Sequence, residues 1–283
     1  MNKITDCYKL ANGVEIPCLG FGTWQAPNGE VAILSVKEAI AAGYRHIDTA
    51  AIYKNEESVG QAIRESGVPR EELFITTKVW NNAHGYETTL AAFEESMVKL
   101  GLEFLDLYLI HWPNPLEFRD CWEEKNAETW RAMEELYEAG KIRAIGISNF
   151  RPHHMDALLK SAKIVPMVNQ ICIHPGYLLD ETIFYCQEKG ILLEAYSPLG
   201  TGKLLGADAI VPIAKKYGKS IAQVSLRWSL QKGFLPLPKT VTTSRIYENT
   251  DIFDFELTAE EMAVLSNMEN VCGDHGHPDE KKF

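Results

Sequence analysis

Short apolar runs rich in β-branched residues alternate along this chain with segments of helical period. The runs fall at 17–23, 44–49, 73–79, 105–112, 142–148, 166–171, 191–197 and 234–239, giving eight strand candidates. The run LDLYLIHW at 105–112 is too apolar to have one wet face, the pattern of a parallel strand covered on both sides. In 88–100, Leu90, Phe93, Met97 and Leu100 recur at three- and four-residue steps. Glu95 and Lys99 are spaced as an i,i+4 pair there, and Gly101 is placed to end the helix in a left-handed conformation. Eight such units without a break in composition predict an α/β fold, a (β/α)8 TIM barrel formed by a single domain over 1–283. A doubly wound sheet would carry a G-x-G-x-x-G turn after its first strand, and this chain has none there. Ahead of the barrel, residues 8–19 read YKLANGVEIPCL. Asn12-Gly13 in that stretch predicts a type I′ turn and an N-terminal β-hairpin closing the bottom of the barrel.

Composition narrows the class of ligand. The 283 residues carry 28 basic and 39 acidic side chains, a net charge of −11. That excess of acid excludes a general nucleic-acid or anionic-membrane surface, so an anionic ligand needs a local basic pocket. No window of about 20 residues is free of charge and breakers, as a membrane helix requires, and the start MNKITDCYKL has no apolar export core. The expectation is a cytoplasmic protein, a monomer with no nucleic-acid or membrane partner. The six cysteines, at 7, 18, 121, 172, 186 and 272, form no C-x-x-C pair and are read as reduced thiols.

In a barrel, catalytic groups sit at the C-terminal ends of strands, where ionisable residues interrupt apolar runs. Asp48 ends YRHIDTA, Tyr53 follows five residues later, Lys78 lies near the end of FITTKVW, and His111 ends LYLIHW. These come from consecutive strands and are therefore neighbours. A lysine ammonium near a phenol favours the phenolate, so Lys78 is expected to draw the acidity of Tyr53 toward neutrality while Asp48 keeps Lys78 charged. His111 is placed to stabilise negative charge on a carbonyl oxygen. Together the four suit protonation of a carbonyl oxygen after hydride attack.

The motifs LGFGTW (19–24), DTAAIYKNE (48–56), TKVW (77–80), LIHWP (109–113), GISNF (146–150), VNQ (168–170), AYSPLG (195–200) and PKT followed by Arg245, Glu248 and Asn249 run through almost the whole chain. In order and spacing they resemble the aldo-keto reductase family, in the branch similar to bacterial 2,5-diketogluconate and glyoxal reductases. The resemblance implies a catalytic tetrad of Asp48, Tyr53, Lys78 and His111, with Tyr53 as general acid in reduction. It also implies NADPH as cofactor. Ser148, Asn149 and Gln170 would hold the carboxamide and Tyr196 would stack on the nicotinamide. Ser197 and Leu199 match the family's cofactor loop, within a glycine-bearing stretch suited to a pyrophosphate, with Lys203 as a helper. Lys239, Thr240 and Arg245 form a basic and hydroxyl cluster suited to a 2′-phosphate, and Glu248 and Asn249 match residues that contact adenine. Trp24, Trp80 and Trp112 match positions lining the substrate cleft, Trp24 and Trp112 more strongly than Trp80.

The chain departs from the family at Cys172 and Ile173, where an acidic residue and an aromatic are common, and in a longer 114–126 loop bearing Phe118 and Trp122. The short tail from Val271 to Phe283 implies an open cleft for small dicarbonyls, aldehydes or keto-sugar acids. No metal site is expected, because His153, His154, His174, His275 and His277 read as a helix start, a loop partner and a mobile tail. Two alternatives stand beside the reductase. One is a lyase using Lys78 as a Schiff-base nucleophile, and the other is a nonenzymatic NADP-binding regulator.

Overall fold

The computed structural model describes residues 1–283. A hairpin of β1 (Cys7–Lys9) and β2 (Glu15–Pro17) precedes a barrel in which strand and helix alternate. The first half runs β3 (Gly20–Gly22), α1 (Glu30–Ala41), β4 (His46–Asp48), α2 (Glu56–Glu65), β5 (Phe74–Val79), α3 (Tyr86–Leu100), β6 (Leu105–Ile110) and α4 (Trp122–Glu138). The second half runs β7 (Ile142–Ser148), α5 (Pro152–Leu159), β8 (Val168–Cys172), α6 (Asp180–Glu188), β9 (Leu192–Tyr196), α7 (Val211–Tyr217), α8 (Ile221–Gln231) and β10 (Leu235–Leu237). Two further helices, α9 (Thr243–Glu248) and α10 (Ala259–Asn267), complete the chain.

Strands β3 to β10 are parallel neighbours in chain order. The ring is drawn together where the Gly22 N–H donates to the Pro238 carbonyl at 3.0 Å. All eight strand candidates therefore form. β7 fills its whole run and β8 reaches one residue beyond at Cys172, while the other paired portions are shorter than the apolar runs because flanking residues lead into loops; Pro17, for example, belongs to the hairpin. No helix is long and apolar enough to cross a membrane, and all six cysteines are free thiols.

The helix expected at 88–100 begins two residues earlier. Phe93, Met97 and Leu100 are buried, Lys99 reaches Glu95 at 2.6 Å, and Gly101 adopts φ 66° at its end. The hairpin turn differs in type from the sequence expectation. Gly13 has φ 88°, but Asn12 is not in the left-handed region, so a type I′ turn, which needs both, is excluded. Instead the Gly13 N–H closes a turn onto the Leu10 carbonyl at 2.8 Å. The Asn12 side chain takes over the positioning, since its oxygen accepts from Val14 N–H at 3.1 Å and its amide donates to the Arg143 carbonyl at 2.9 Å. Leu10 and Ile16 pack against Phe74, Leu107, Ala144 and Leu235, so the hairpin closes the barrel floor.

Strand alternation sorts the wall into two surfaces. In β5, Ile75 and Val79 face the helices, while Phe74, Thr76 and Lys78 face the barrel axis. The axis is apolar at the floor and polar above it. His46, Thr76, Glu194, Gln170, Asp48 and Lys78 form one connected buried layer under the mouth. A sealed floor and helix-covered walls leave the C-terminal mouth as the way to these groups.

Candidate active site

Lys78 is fully buried, and its ammonium makes three hydrogen bonds: to Asp48 Oδ1 at 2.7 Å, to Asp48 Oδ2 at 2.8 Å and to the Thr49 carbonyl at 2.8 Å. The strand register makes this possible. Asp48 pairs with Thr76, so Lys78 stands one inward position above and folds back across the neighbouring strand. Three acceptors for three donors leave the ammonium fully satisfied. Beyond the pair, Tyr53 ends a 3₁₀ turn at Ala51–Tyr53, with Lys78 Nζ 5.1 Å from the centre of its ring. His111 follows β6, and its ring meets that of Tyr53 edge to face at 5.8 Å. The four residues expected from the strand ends thus converge at the mouth.

The electrostatics of Tyr53 run against the sequence expectation. Burial, reinforced by the negative charge of Asp48, pushes its hydroxyl well above the ordinary phenol range. The tight Asp48–Lys78 pair adds to the effect of burial, because its carboxylate offsets the ammonium's field at the phenol. Tyr53 is therefore a neutral phenol, the form that can give up a proton. Burial, together with the positive charge of Lys78, holds His111 well below the usual imidazole range, so its ring is neutral. Its Nδ1 is sealed in without a partner, which leaves Nε2 as the nitrogen facing the cleft.

A second set of side chains is tied together beside the four. Asn149 donates to the His111 carbonyl at 2.9 Å and to Ser148 Oγ at 3.1 Å, and accepts from the Tyr196 hydroxyl at 2.8 Å. Ser148 Oγ donates to the Gln170 carbonyl at 2.8 Å, and the Gln170 amide donates to Asp48 Oδ2 at 2.8 Å and Glu194 Oε2 at 2.7 Å. The five non-glycine residues with positive φ are Gln25, Lys54, Asn149, Ser197 and Thr201, all in loops at the C-terminal end of the barrel. Left-handed backbone at such residues costs of order 1–3 kcal/mol each and gathers where function dictates geometry.

Ser197 and Leu199 open the loop that becomes the 3₁₀ stretch Gly200–Gly206. Lys239 donates to the Gln25 carbonyl at 3.0 Å across the mouth, Thr240 accepts from Thr242 N–H at 3.1 Å, and Arg245 is exposed without an ion-pair partner. Glu248 ends α9 and Asn249 is buried beside it. In a chain of charge −11, an exposed guanidinium with no acidic partner is a local positive charge open to an anionic ligand. Lys203, by contrast, donates to the Cys272 carbonyl at 3.1 Å and so is engaged with the tail.

The tryptophans separate. Trp80 meets His111 edge to face at 5.1 Å and so stands against the tetrad, while Trp24 is 45% exposed. Trp112 and Trp80 share a partner, Phe283, at 5.1 and 6.0 Å between ring centres. The tail is therefore folded back onto the cleft, contrary to the open cleft and mobile tail expected. It is held there by Asp279, which takes His154 at 2.7 Å, His153 at 3.0 Å and Asn114 at 2.9 Å. Phe118 and Trp122 pack on the rim against His84 and His154.

Sequence reasoning missed Glu194 and His46. Both are fully buried inward residues of β9 and β4, with Glu194 Oε1 3.9 Å from His46 Nε2. Burial, with Asp48 nearby, pushes the Glu194 carboxyl up to about 8, and burial with Lys78 pushes His46 down to about 3. Each interrupts an apolar run on the same alternation as Tyr196 or Asp48, which was the available signal.

Fold and site define a (β/α)8 barrel with a cluster of ionisable side chains gathered at its C-terminal mouth. Residues 18–270 match the model of the aldo/keto reductase family. The chain is 54% identical to a glyoxal reductase of Bacillus subtilis (strain 168), over 99% of each chain. It is 50% identical to a 9,11-endoperoxide prostaglandin H2 reductase of Trypanosoma cruzi, over 99% of this chain and 97% of that one. Among solved structures, a mutant of Gox0644 in complex with NADPH superposes with a TM-score of 0.91 at 38% identity, covering 99% of both chains. The chain belongs to the aldo/keto reductase family, and is an oxidoreductase.

Proposed function

We propose that the protein reduces aldehydes and ketones to alcohols with NADPH, acting on small dicarbonyls, aldehydes or keto-sugar acids. The observation that carries this reading is the convergence of a neutral, half-buried Tyr53 and a neutral His111 beside the Asp48–Lys78 pair. Bound NADPH supplies the hydride. Tyr53 supplies the proton to the carbonyl oxygen, and His111 Nε2–H orients that oxygen and stabilises its developing charge. Asp48 and Lys78 hold the charge pattern under Tyr53 fixed.

The residues present fit the cofactor. Ser148, Asn149 and Gln170 offer amide and hydroxyl groups for a carboxamide, and the Asn149 bond fixes the Tyr196 ring as a stacking face. Ser197, Leu199 and the glycines of the following turn suit a pyrophosphate. Lys239, Thr240 and Arg245 suit a 2′-phosphate, with Glu248 and Asn249 beyond them for adenine. Trp80, Trp112 and Trp24 wall the substrate side. The three hydrogen bonds of Lys78 argue against the lyase alternative, which needs a free amine. A complete set of four site residues likewise argues against a nonenzymatic regulator.

The test is the loss of NADPH absorbance with methylglyoxal, phenylglyoxal, aromatic aldehydes and 2,5-diketogluconate. Turnover of one or more supports the reading and ranks the substrates. NADPH binding without turnover of any of them would overturn it.

A further inference from the structure

Outside the tetrad, three metal-ligating side chains meet beyond the C-terminal end of β8. Cys172 ends β8, His174 follows two residues later, and His275 arrives from the tail a hundred residues on, so spacing along the chain gives no sign of the grouping. Their ligating atoms all lie within 4.8 Å of one another. A tetrahedral Zn²⁺ with bonds of about 2.0–2.3 Å separates its ligand atoms by roughly 3.3–3.8 Å, so a small side-chain adjustment closes the set.

The state of His174 is the decisive feature. The ring is fully buried and its Nδ1 lies 2.9 Å from the Pro175 carbonyl, which fixes the proton there. Its Nε2 is buried with no partner. A buried, unsatisfied imidazole lone pair is costly, and a carbonyl-oriented histidine with its other nitrogen bare is the usual arrangement of a metal ligand. The second histidine cluster, His153, His154 and Asp279, lacks this feature, because its carboxylate already satisfies both rings.

We propose that Cys172, His174 and His275 form a binding site for a thiophilic d¹⁰ cation, with Zn²⁺ as its type. On binding, the Cys172 sulfur forms a bond to the metal and its proton leaves to solvent. His174 and His275 bind through imidazole lone pairs. Cys172 and His275 line a pocket together with Asn149 and Tyr196, so a bound ion ties the tail to the strand end beside the proposed nicotinamide stack.

The test uses the full-length protein, freed of metal by dialysis against a chelator, then titrated with Zn²⁺ in competition with a chromophoric chelator and separately with Co²⁺. The expected result is one Zn²⁺ per chain, about one proton released with it, and a thiolate-to-Co²⁺ charge-transfer band. Cys172→Ala should abolish the band, and Cys172→Ala and His275→Ala should each weaken Zn²⁺ binding roughly tenfold or more. His275 is only half-buried, so its variant reads the site without disturbing the core. His153→Ala should change nothing. No saturable uptake, uptake unchanged in both ligand variants, or uptake lost in His153→Ala would overturn the proposal. Metal uptake is read without turnover, so its failure leaves the reductase reading untouched.

Discussion

Lys78 gives two of its three ammonium protons to the two oxygens of Asp48, at 2.7 and 2.8 Å, in a part of the barrel where Lys78 has no contact with solvent. A buried pair of this kind stabilises little by itself, because desolvation offsets the attraction, but breaking it strands a charge. Asp48→Asn should therefore cost about 3–5 kcal/mol of stability. Urea unfolding at neutral pH measures this, and a loss under 1 kcal/mol would mean the pair is open to water.

Glu194 should make stability depend on pH. Its folded carboxyl stays protonated up to about 8, against 4.5 ordinarily, so between those values the folded protein holds a proton that the unfolded chain has released. Stability then falls as pH rises through that window, by up to about 1.4 kcal/mol per unit. Glu194→Gln, which keeps the shape and removes the titration, should abolish this part of the slope and gain on the native protein as pH rises. Parallel slopes between pH 5 and 8 for the two proteins would contradict it.

The basic cluster after β10 should select the cofactor. Arg245 has no partner in the protein, so Arg245→Ala should leave stability within about 0.5 kcal/mol. NADPH binding should weaken roughly 10–100-fold, the value of a charged hydrogen bond, with NADH binding unchanged. Fluorescence titration with both cofactors gives the answer, and equal losses for the two would remove the 2′-phosphate contact.

Phe283 stacks on Trp80 at 6.0 Å and stands edge to face with Trp112 at 5.1 Å. Aromatic pairs contribute about 0.5–1.5 kcal/mol beyond area burial. Phe283→Ala should raise KM for phenylglyoxal about two- to tenfold while leaving kcat for methylglyoxal nearly unchanged. A fall in kcat for both substrates would instead place the tail in the chemistry.

The barrel was legible because each strand is an apolar run bounded by a change of period, and strand-end residues in a barrel converge whatever the loops do. Asp48, Lys78 and His111 could be read that way. The hairpin turn was not, because Asn12 in this chain uses its side chain to reach Arg143 rather than adopting a left-handed backbone. The tail was not, because the clasp of Asp279 on His153 and His154 joins residues 126 and 125 positions apart. The acidity of Tyr53 failed for a different reason. Lys78 alone would lower it, but burial of the phenol, with the charge of Asp48 beside it, raises it.

The central claim is that Tyr53 delivers the proton. Tyr53→Phe removes the hydroxyl and keeps the ring against His111, so the measurement is kcat for methylglyoxal reduction together with NADPH affinity in that variant. General-acid catalysis predicts a loss of about 10²–10⁴-fold in kcat with NADPH affinity intact. Turnover within a few fold of the native protein would contradict the mechanism and move the proton donor elsewhere.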